Sequence, residues 1–225
     1  NACLNACCSL EYPDFEVLVV DDGSTDQTPE IAANFPEVRY FRQNHGGLSN
    51  ARNIGAAQAS GDLIAYTDDD CQPDVDWLFW IARSFENPRI GAAGGPNLPP
   101  SPEGLQEAIV ASATGAPSHV LSEDLRAEHL PGCNLVLRRE ALDSVEGFQP
   151  QFVTAGDDVD LCWRLLDQGW ELAFAPAAFV WHRRRTSIAR YLRQQGGYGR
   201  AEALLFEAHP GRFRDGGIHW EGSVY

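Results

Sequence analysis

Gly61-Asp-Leu-Ile-Ala-Tyr-Thr-Asp-Asp-Asp-Cys-Gln-Pro73 is the stretch on which the fold turns. Leu63 to Tyr66 form a brief apolar run that stops at three consecutive acids, Asp68, Asp69 and Asp70. A run this short, apolar and followed by a helical pattern reads as a buried strand. Three carboxylates cannot continue into a core without partners, so they mark the strand's carboxyl end. In open α/β sheets, ligands bind at that end. Asp68 and Asp70, one residue apart, can share a hard divalent cation that takes its other ligands from water and phosphate. A solvated acidic turn is the plainer reading of the same triplet.

The pattern recurs upstream. Glu16-Val-Leu-Val-Val20 is a second apolar run, and it ends at Asp21-Asp22-Gly23-Ser24-Thr25-Asp26. Further strands are expected at 38–41, 90–95, 133–137, 172–174 and 179–181. Residues 2–10 read as the end of a helix. Other helices are expected from Pro29 to Phe35, from Gly46-Gly47 to Ala59, and from Asp74 or Asp76 with a core stripe of Trp77, Leu78, Ile81 and Phe85. Short helices follow at 139–145 and at 159–168, the latter stopped by Gly169. A last helix runs from Ser187 to Glu207, with Gly196-Gly197 as a break. The proline-rich 96–102 reads as the rim of a site, and 103–130 is helical or irregular. Alternating strands and helices call for an α/β fold with a mostly parallel sheet covered on both faces.

The length of 225 residues suits one domain, 1–185, with a C-terminal helical tail, 186–225. The formal net charge of −15 is uneven: residues 1–182 sum to −19 and residues 183–225 to +4. An acidic body argues against nucleic acid as a partner and against an anionic membrane as the main one. The tail, opening on Arg183-Arg184-Arg185, suits an anionic head group or a diphosphate, and so a peripheral membrane contact. No apolar run approaches the roughly 18 residues of a membrane span. The six cysteines have no trusted ligand spacing and read as free thiols in a reducing, cytoplasmic setting. A metal clip of Cys3, Cys7 and Cys8 has no histidine to complete it.

Four words, taken in order, resemble the inverting family-2 glycosyltransferases of GT-A fold. They are Val-Val-Asp-Asp-Gly-Ser-Thr-Asp at 19–26, Asn-His-Gly-Gly-Leu-Ser-Asn-Ala-Arg-Asn at 44–53, Thr-Asp-Asp-Asp at 67–70 and Gly-Asp-Asp-Val-Asp-Leu-Cys-Trp-Arg at 156–164. The resemblance covers nearly all of residues 10–185. It implies transfer of a sugar from a nucleotide-diphosphate sugar to a hydroxyl acceptor, a saccharide or lipid-linked saccharide, assisted by Mg²⁺ or Mn²⁺, as in bacterial polysaccharide biosynthesis. A cation suits that chemistry because the leaving nucleoside diphosphate gains negative charge.

By the same resemblance, Asp21, Asp22, Arg52, Asp68 and Asp69 would meet the nucleotide, and Asp68, Asp70 and His182 the metal. Asp158 would be the general base, since inversion needs a carboxylate to take the proton of the attacking hydroxyl. Asp157, which stands where the family usually has Glu, would lie with Asp160 and Asn134 near the donor and acceptor sugars. Each residue has a plainer reading: a turn for Asp21 and Asp22, a local ion pair for Arg52, and helix N-terminal acids for Asp157 and Asp158. His182 and Asn134 would simply be structural. The family's first central strand would precede residue 2, so the expectation is a sheet with an unpaired gap, or one completed by another chain. A non-catalytic nucleotide-sugar or carbohydrate binding or assembly module on the same fold is the alternative function.

Overall fold

The computed structural model describes residues 1–113 and 118–225. α1 (Ala2–Cys8) precedes β1 (Val17–Asp21), and α2 (Thr28–Ala32), with Pro29 in its first turn, crosses to the parallel strand β2 (Val38–Arg42). α3 (Leu48–Gln58) leads to β3 (Leu63–Tyr66), whose end carries the acid triplet, and then to the short β4 (Cys71–Pro73). α4 (Trp77–Ser84), β5 (Ile90–Gly94) and β6 (Asn97–Leu98) follow. The stretch 103–130 resolves into α5 (Leu105–Ser112) and a hairpin of β7 (Val120–Glu123) and β8 (Arg126–His129); its part at 114–117 lies outside the described residues. Gly132–Asn134 is one 3₁₀ turn before β9 (Leu135–Arg138), so the strand expected from Cys133 starts two residues later. α6 (Arg139–Ser144), α7 (Asp157–Asp167), β10 (Glu171–Phe174) and β11 (Val180–His182) complete the body.

In the tail, α8 (Ile188–Ala208) runs unbroken through Gly196-Gly197, where a break was expected. Glycine costs about 1 kcal/mol against alanine in a helix but does not stop one, and Ser187 caps the start by accepting from the Arg190 amide. The tail is not helical throughout. A hairpin of β12 (Phe213–Arg214) and β13 (Gly217–Ile218) follows, and β14 (Ser223–Val224) pairs with β7 in the main sheet. Among the described residues, no helix is long and apolar enough to cross a membrane.

The main sheet has the order β14-β7-β8-β10-β5-β9-β3. The α/β class stands, but the expectation of a mostly parallel sheet is corrected to a mixed one: β5–β10 is its one parallel pair among the described residues. β9 enters between β3 and β5 running against both, and the β7–β8 hairpin adds antiparallel strands at the other end. One face buries Leu137, Phe148, Leu161 and Leu165 beneath α6 and α7. The other buries Trp77, Ile81 and Phe85 of the α4 stripe against Ala93 and Val136. Each such side chain contributes about 1.5–3 kcal/mol relative to exposure.

Among the described residues, β1 pairs only with β2 and β3 only with β9, so the β1–β2 sheet stands apart from the main one. Side chains and loops from α3 cross the seam. Ser49 Oγ donates to Phe152 O at 2.7 Å, Asn53 exchanges two hydrogen bonds with the Phe148 backbone, and Leu48 N–H donates to Val153 O at 2.9 Å.

Candidate active site

The acids after β3 diverge in role. Asp69 is exposed, whereas Asp68 and Asp70 turn inward. Asp70 Oδ1 lies 3.3 Å from His182 Nε2, and Asp70 Oδ2 lies 3.4 Å from Arg185 Nη1. His182 reaches Asp70 because β11 pairs antiparallel with β4. Burial alone would push the Asp70 carboxyl up, but His182 and Arg185 outweigh it and hold it below its usual value. Asp68 is raised, by burial first and then by the Asp70 charge, against the pull of Arg52. Ligand atoms of Asp68, Asp70 and Cys71 lie within 4.8 Å of one another. Two converging carboxylates that disfavour each other's charge fit a divalent cation.

Arg52 lies beneath them, 8% exposed. Its Nη1 lies 2.5 Å from Asp157 Oδ2 and its Nη2 lies 3.3 Å from Asp68 Oδ1. Its guanidinium also rests against the rings of Phe148 and Tyr66. Arg52, expected at the nucleotide or in an ion pair, is here paired with two acids in the floor of the site. What it does is join the end of β3 to the start of α7.

Gly156, at φ 85°, takes the left-handed turn that opens α7. The two acids that follow part ways. Asp157 is 1% exposed and faces Arg52; burial pushes its carboxyl up to about 6 against the pull of that partner. Expected near a sugar, its carboxylate here pairs with Arg52. The Asp158 side chain keeps 21% exposure. Its Oδ2 accepts from the Gly132 amide at 2.8 Å and its Oδ1 from the Val159 amide at 2.9 Å. Burial works to raise Asp158, but His129, Arg52 and the Gly132 amide together hold it well below the carboxylate range. It is ionised at neutral pH, as a base must be.

Two further residues border this carboxylate that sequence reasoning did not single out. His129, at the end of β8, is 7% exposed, has its Nε2 3.7 Å from Asp158 Oδ2, and stacks on Trp220 of the tail. That Nε2 has no hydrogen-bond partner among the described residues. Tyr198 on α8 comes within electrostatic reach of Asp158, Arg185 and Asp68, and burial pushes its hydroxyl up to about 12. The tail thus covers the site. A lone His or Tyr in an unpatterned segment gave no signal for this.

The remaining candidates are hydrogen-bonded within the scaffold. Asp21 is 2% exposed and accepts from the Ser24 amide at 2.7 Å and from the Tyr40 hydroxyl. Asp22 accepts from the Gly46 and Gly47 amides at 2.7 and 2.8 Å and from His45 and Gln43, so the words at 19–26 and 44–53 bind each other. In both, burial would raise the carboxyl and these donors outweigh it. The Asn134 amide, expected near a sugar, is hydrogen-bonded to Trp77, Pro96 and Ala178. Asp160, expected near a sugar, is 2% exposed and points to His209 at 2.8 Å and to Arg164, which ties the tail to α7.

The family model for Glycosyl transferase family 2 matches residues 1–145. The chain is 30% identical over 205 residues to the Pre-mycofactocin glycosyltransferase of Mycobacterium tuberculosis, covering 86% of this chain and 43% of that protein. It is 29% identical to the Poly-beta-1,6-N-acetyl-D-glucosamine synthase of Staphylococcus epidermidis (79% and 45% covered) and 30% to the Beta-monoglucosyldiacylglycerol synthase of a Nostoc species (86% and 45%). It therefore spans less than half the length of these curated relatives. In fold it is similar to a Pyrobaculum calidifontis mannosyltransferase solved with GDP-Man and Mn²⁺, with TM-score 0.67, 22% identity, and 91% of this chain and 59% of that one covered. S. aureus TarS with UDP gives TM-score 0.65, 17% identity, and the same coverage of 91% and 59%. With the GT-A architecture and the 145 matched residues in agreement, the chain belongs to glycosyl transferase family 2.

Proposed function

We propose that this chain is the catalytic part of an inverting, metal-assisted glycosyltransferase that moves a sugar from a nucleotide-diphosphate sugar to a hydroxyl acceptor. The observation that carries the reading is Asp158: an ionised, partly exposed carboxylate, tied through Arg52 and Asp157 to the Asp68–Asp70 pair. Asp158 takes the acceptor proton as the hydroxyl oxygen bonds to the anomeric carbon and the diphosphate leaves from the opposite face. Asp68 and Asp70 would hold Mg²⁺ or Mn²⁺, which when bound neutralises charge on the departing diphosphate. His182 and Arg185 keep Asp70 ionised and aimed. Asp22 shapes the Gly46-Gly47 loop on the nucleotide side, Asp21 holds the turn at Ser24 beside it, and exposed Asp69 borders the same space.

In this reading residues 1–185 form the catalytic domain, and 186–225 close over the base through Tyr198 and Trp220. The relatives' names specify different acceptors, which leaves the acceptor here at the class of a saccharide or lipid-linked hydroxyl. Exposed Arg190, Arg193 and Arg200 on α8 suit a peripheral contact with an anionic membrane face on the cytoplasmic side, where nucleotide sugars are supplied. A thermal-shift panel of nucleotide sugars, run in Mn²⁺ and in chelator, tests the donor half. One donor should stabilise the wild type in Mn²⁺ alone, and Asp70→Ala should lose that shift. A shift equal in Mn²⁺, in chelator and in the variant would end the metal-assisted reading.

A further inference from the structure

His129 closes β8, opposite Val120 of β7. Its ring is set by the tail. The neighbouring Glu128 carboxylate accepts from the Glu221 and Gly222 amides at 2.8 and 2.9 Å, which lays the tail against the end of β8. Trp220, the residue before them, then stacks on the imidazole with centroids 5.6 Å apart, and its ring lies 5.3 Å from that of Trp163 on α7. His129 is 7% exposed and its Nε2 lies 3.7 Å from Asp158 Oδ2. That nitrogen is buried and has no hydrogen-bond partner among the described residues. A buried polar atom left unpaired is costly, so the acid it faces is the partner to consider first. Closed off from the cleft, Nε2 is placed to touch the base and not the substrate.

We infer that His129 is the positioning residue of the general base: a proton on its Nε2 points at Asp158 Oδ2 and, together with the Gly132 amide, fixes the carboxylate for the acceptor hydroxyl. The inference rests on Asp158 being that base. A ring nitrogen without a proton is an acceptor, and an ionised carboxylate offers acceptors alone. Two acceptors facing each other across a dry gap repel, so the proton of His129 belongs on Nε2. The Gly132 amide already donates to Oδ2 at 2.8 Å, and the imidazole approaches the same oxygen from a different element. Oδ1 accepts from the Val159 amide at 2.9 Å, and its other lone pair is left for the acceptor proton. A carboxylate held on one oxygen by donors from two elements cannot swing about its last bond, and a misplaced catalytic group loses rate steeply. Trp220, packed on both His129 and Trp163, ties the orienting ring to the helix that carries the base. His129 neither gains nor loses a proton during transfer: the acceptor O–H bond breaks as an O–H bond forms on Asp158.

Two substitutions in the full chain separate the donor from the packing. His129→Phe keeps a ring on Trp220 and removes Nε2, whereas His129→Gln removes the ring and keeps an N–H donor at nearly the same reach. Turnover is read as nucleoside diphosphate released from UDP-glucose, UDP-N-acetylglucosamine or GDP-mannose, whichever the wild type consumes in Mn²⁺. His129→Phe should lower kcat by about ten-fold or more, with donor KM and melting midpoint near wild type. His129→Gln should recover most of that loss. Wild-type kcat in His129→Phe, or no recovery in a His129→Gln that melts with the wild type, would overturn the inference. A second measurement needs no substrate. Two-bond ¹H–¹⁵N correlation on wild type labelled at histidine, with the His129 signals identified as those missing from either variant, should show Nε2 protonated. An unprotonated Nε2 would overturn the inference whatever the kinetics. Wild-type turnover in Asp158→Asn would end the base reading and this inference with it; an inactive Asp158→Asn beside a fully active His129→Phe would end this inference alone.

Discussion

Arg52 and Asp157 meet at 2.5 Å across 105 positions of sequence, both buried, and the pair pins the start of α7 to α3. Removing one partner of a buried ion pair leaves the other charge uncompensated and costs about 3–5 kcal/mol. Arg52→Ala is expected to lose stability of that order, because Asp68 and Asp157 both lose their cation. Urea unfolding followed by circular dichroism measures it. A loss below about 1 kcal/mol, the size of an exposed pair, would show that the contact does not hold the site together.

Asp158→Asn keeps size and hydrogen bonding but cannot take a proton. Turnover should fall about 10²-fold or more, the usual contribution of a general base. Donor binding in Mn²⁺ should be unchanged, as read by calorimetry. Retained turnover would pass the base role to another group or end the inverting assignment.

Asp22 titrates below its ordinary value in the folded chain because four donors outweigh its burial. A depressed acid contributes stability above its unfolded pKa of about 3.9, and that contribution is lost as pH falls through the folded value. The stability difference between wild type and Asp22→Asn should therefore be full at pH 7 and shrink below about pH 4. Urea midpoints for both proteins at several pH values check this. A difference that does not vary with pH would show that the folded carboxyl is not depressed.

A Cβ on Gly132 would stand 2.4 Å from both terminal nitrogens of Arg52. Arg52 is held by two acids and cannot simply move aside. Gly132→Ala should cost about 1–3 kcal/mol, as overpacking does, and should also lower turnover by shifting the amide that supports Asp158. Wild-type turnover with wild-type stability would show that the floor is softer than its contacts imply.

Asp160→Ala would cut the tie between α7 and His209 at the end of α8. Residues 209–225 should then become cleavable by a nonspecific protease under conditions where the wild type resists. Equal cleavage of both proteins would place the latch elsewhere, in the Trp163–Trp220 contact.

The strand ends at Asp21 and Asp68 were legible because a short apolar run cannot carry consecutive carboxylates into a core, so the acids mark where the strand leaves it. The stripe of α4 was legible for a similar reason, its period being local. The partner of Arg52 was not legible because it lies 105 residues away, and no local pattern distinguishes a buried ion pair from a phosphate contact. Asp160 and His209 are 49 positions apart and joined only by the packing of the tail. β14 has two residues, too few to show any alternation. The antiparallel insertion of β9 is a fact of topology, and strand direction leaves no mark on an all-apolar run.

The β1–β2 sheet and the main sheet are joined through helices. Within a sheet, a ladder of backbone bonds transmits displacement stiffly from strand to strand, and among the described residues no such ladder links these two. α1 packs on β4, and α3 is held by Phe148, Phe152 and Val153 on one side and lies along β1 on the other. Asp22 holds the amide of Gly47 at the start of α3, and Arg52, further along it, holds Asp157, so a substitution that shifts α3 should disturb both ends of the site at once.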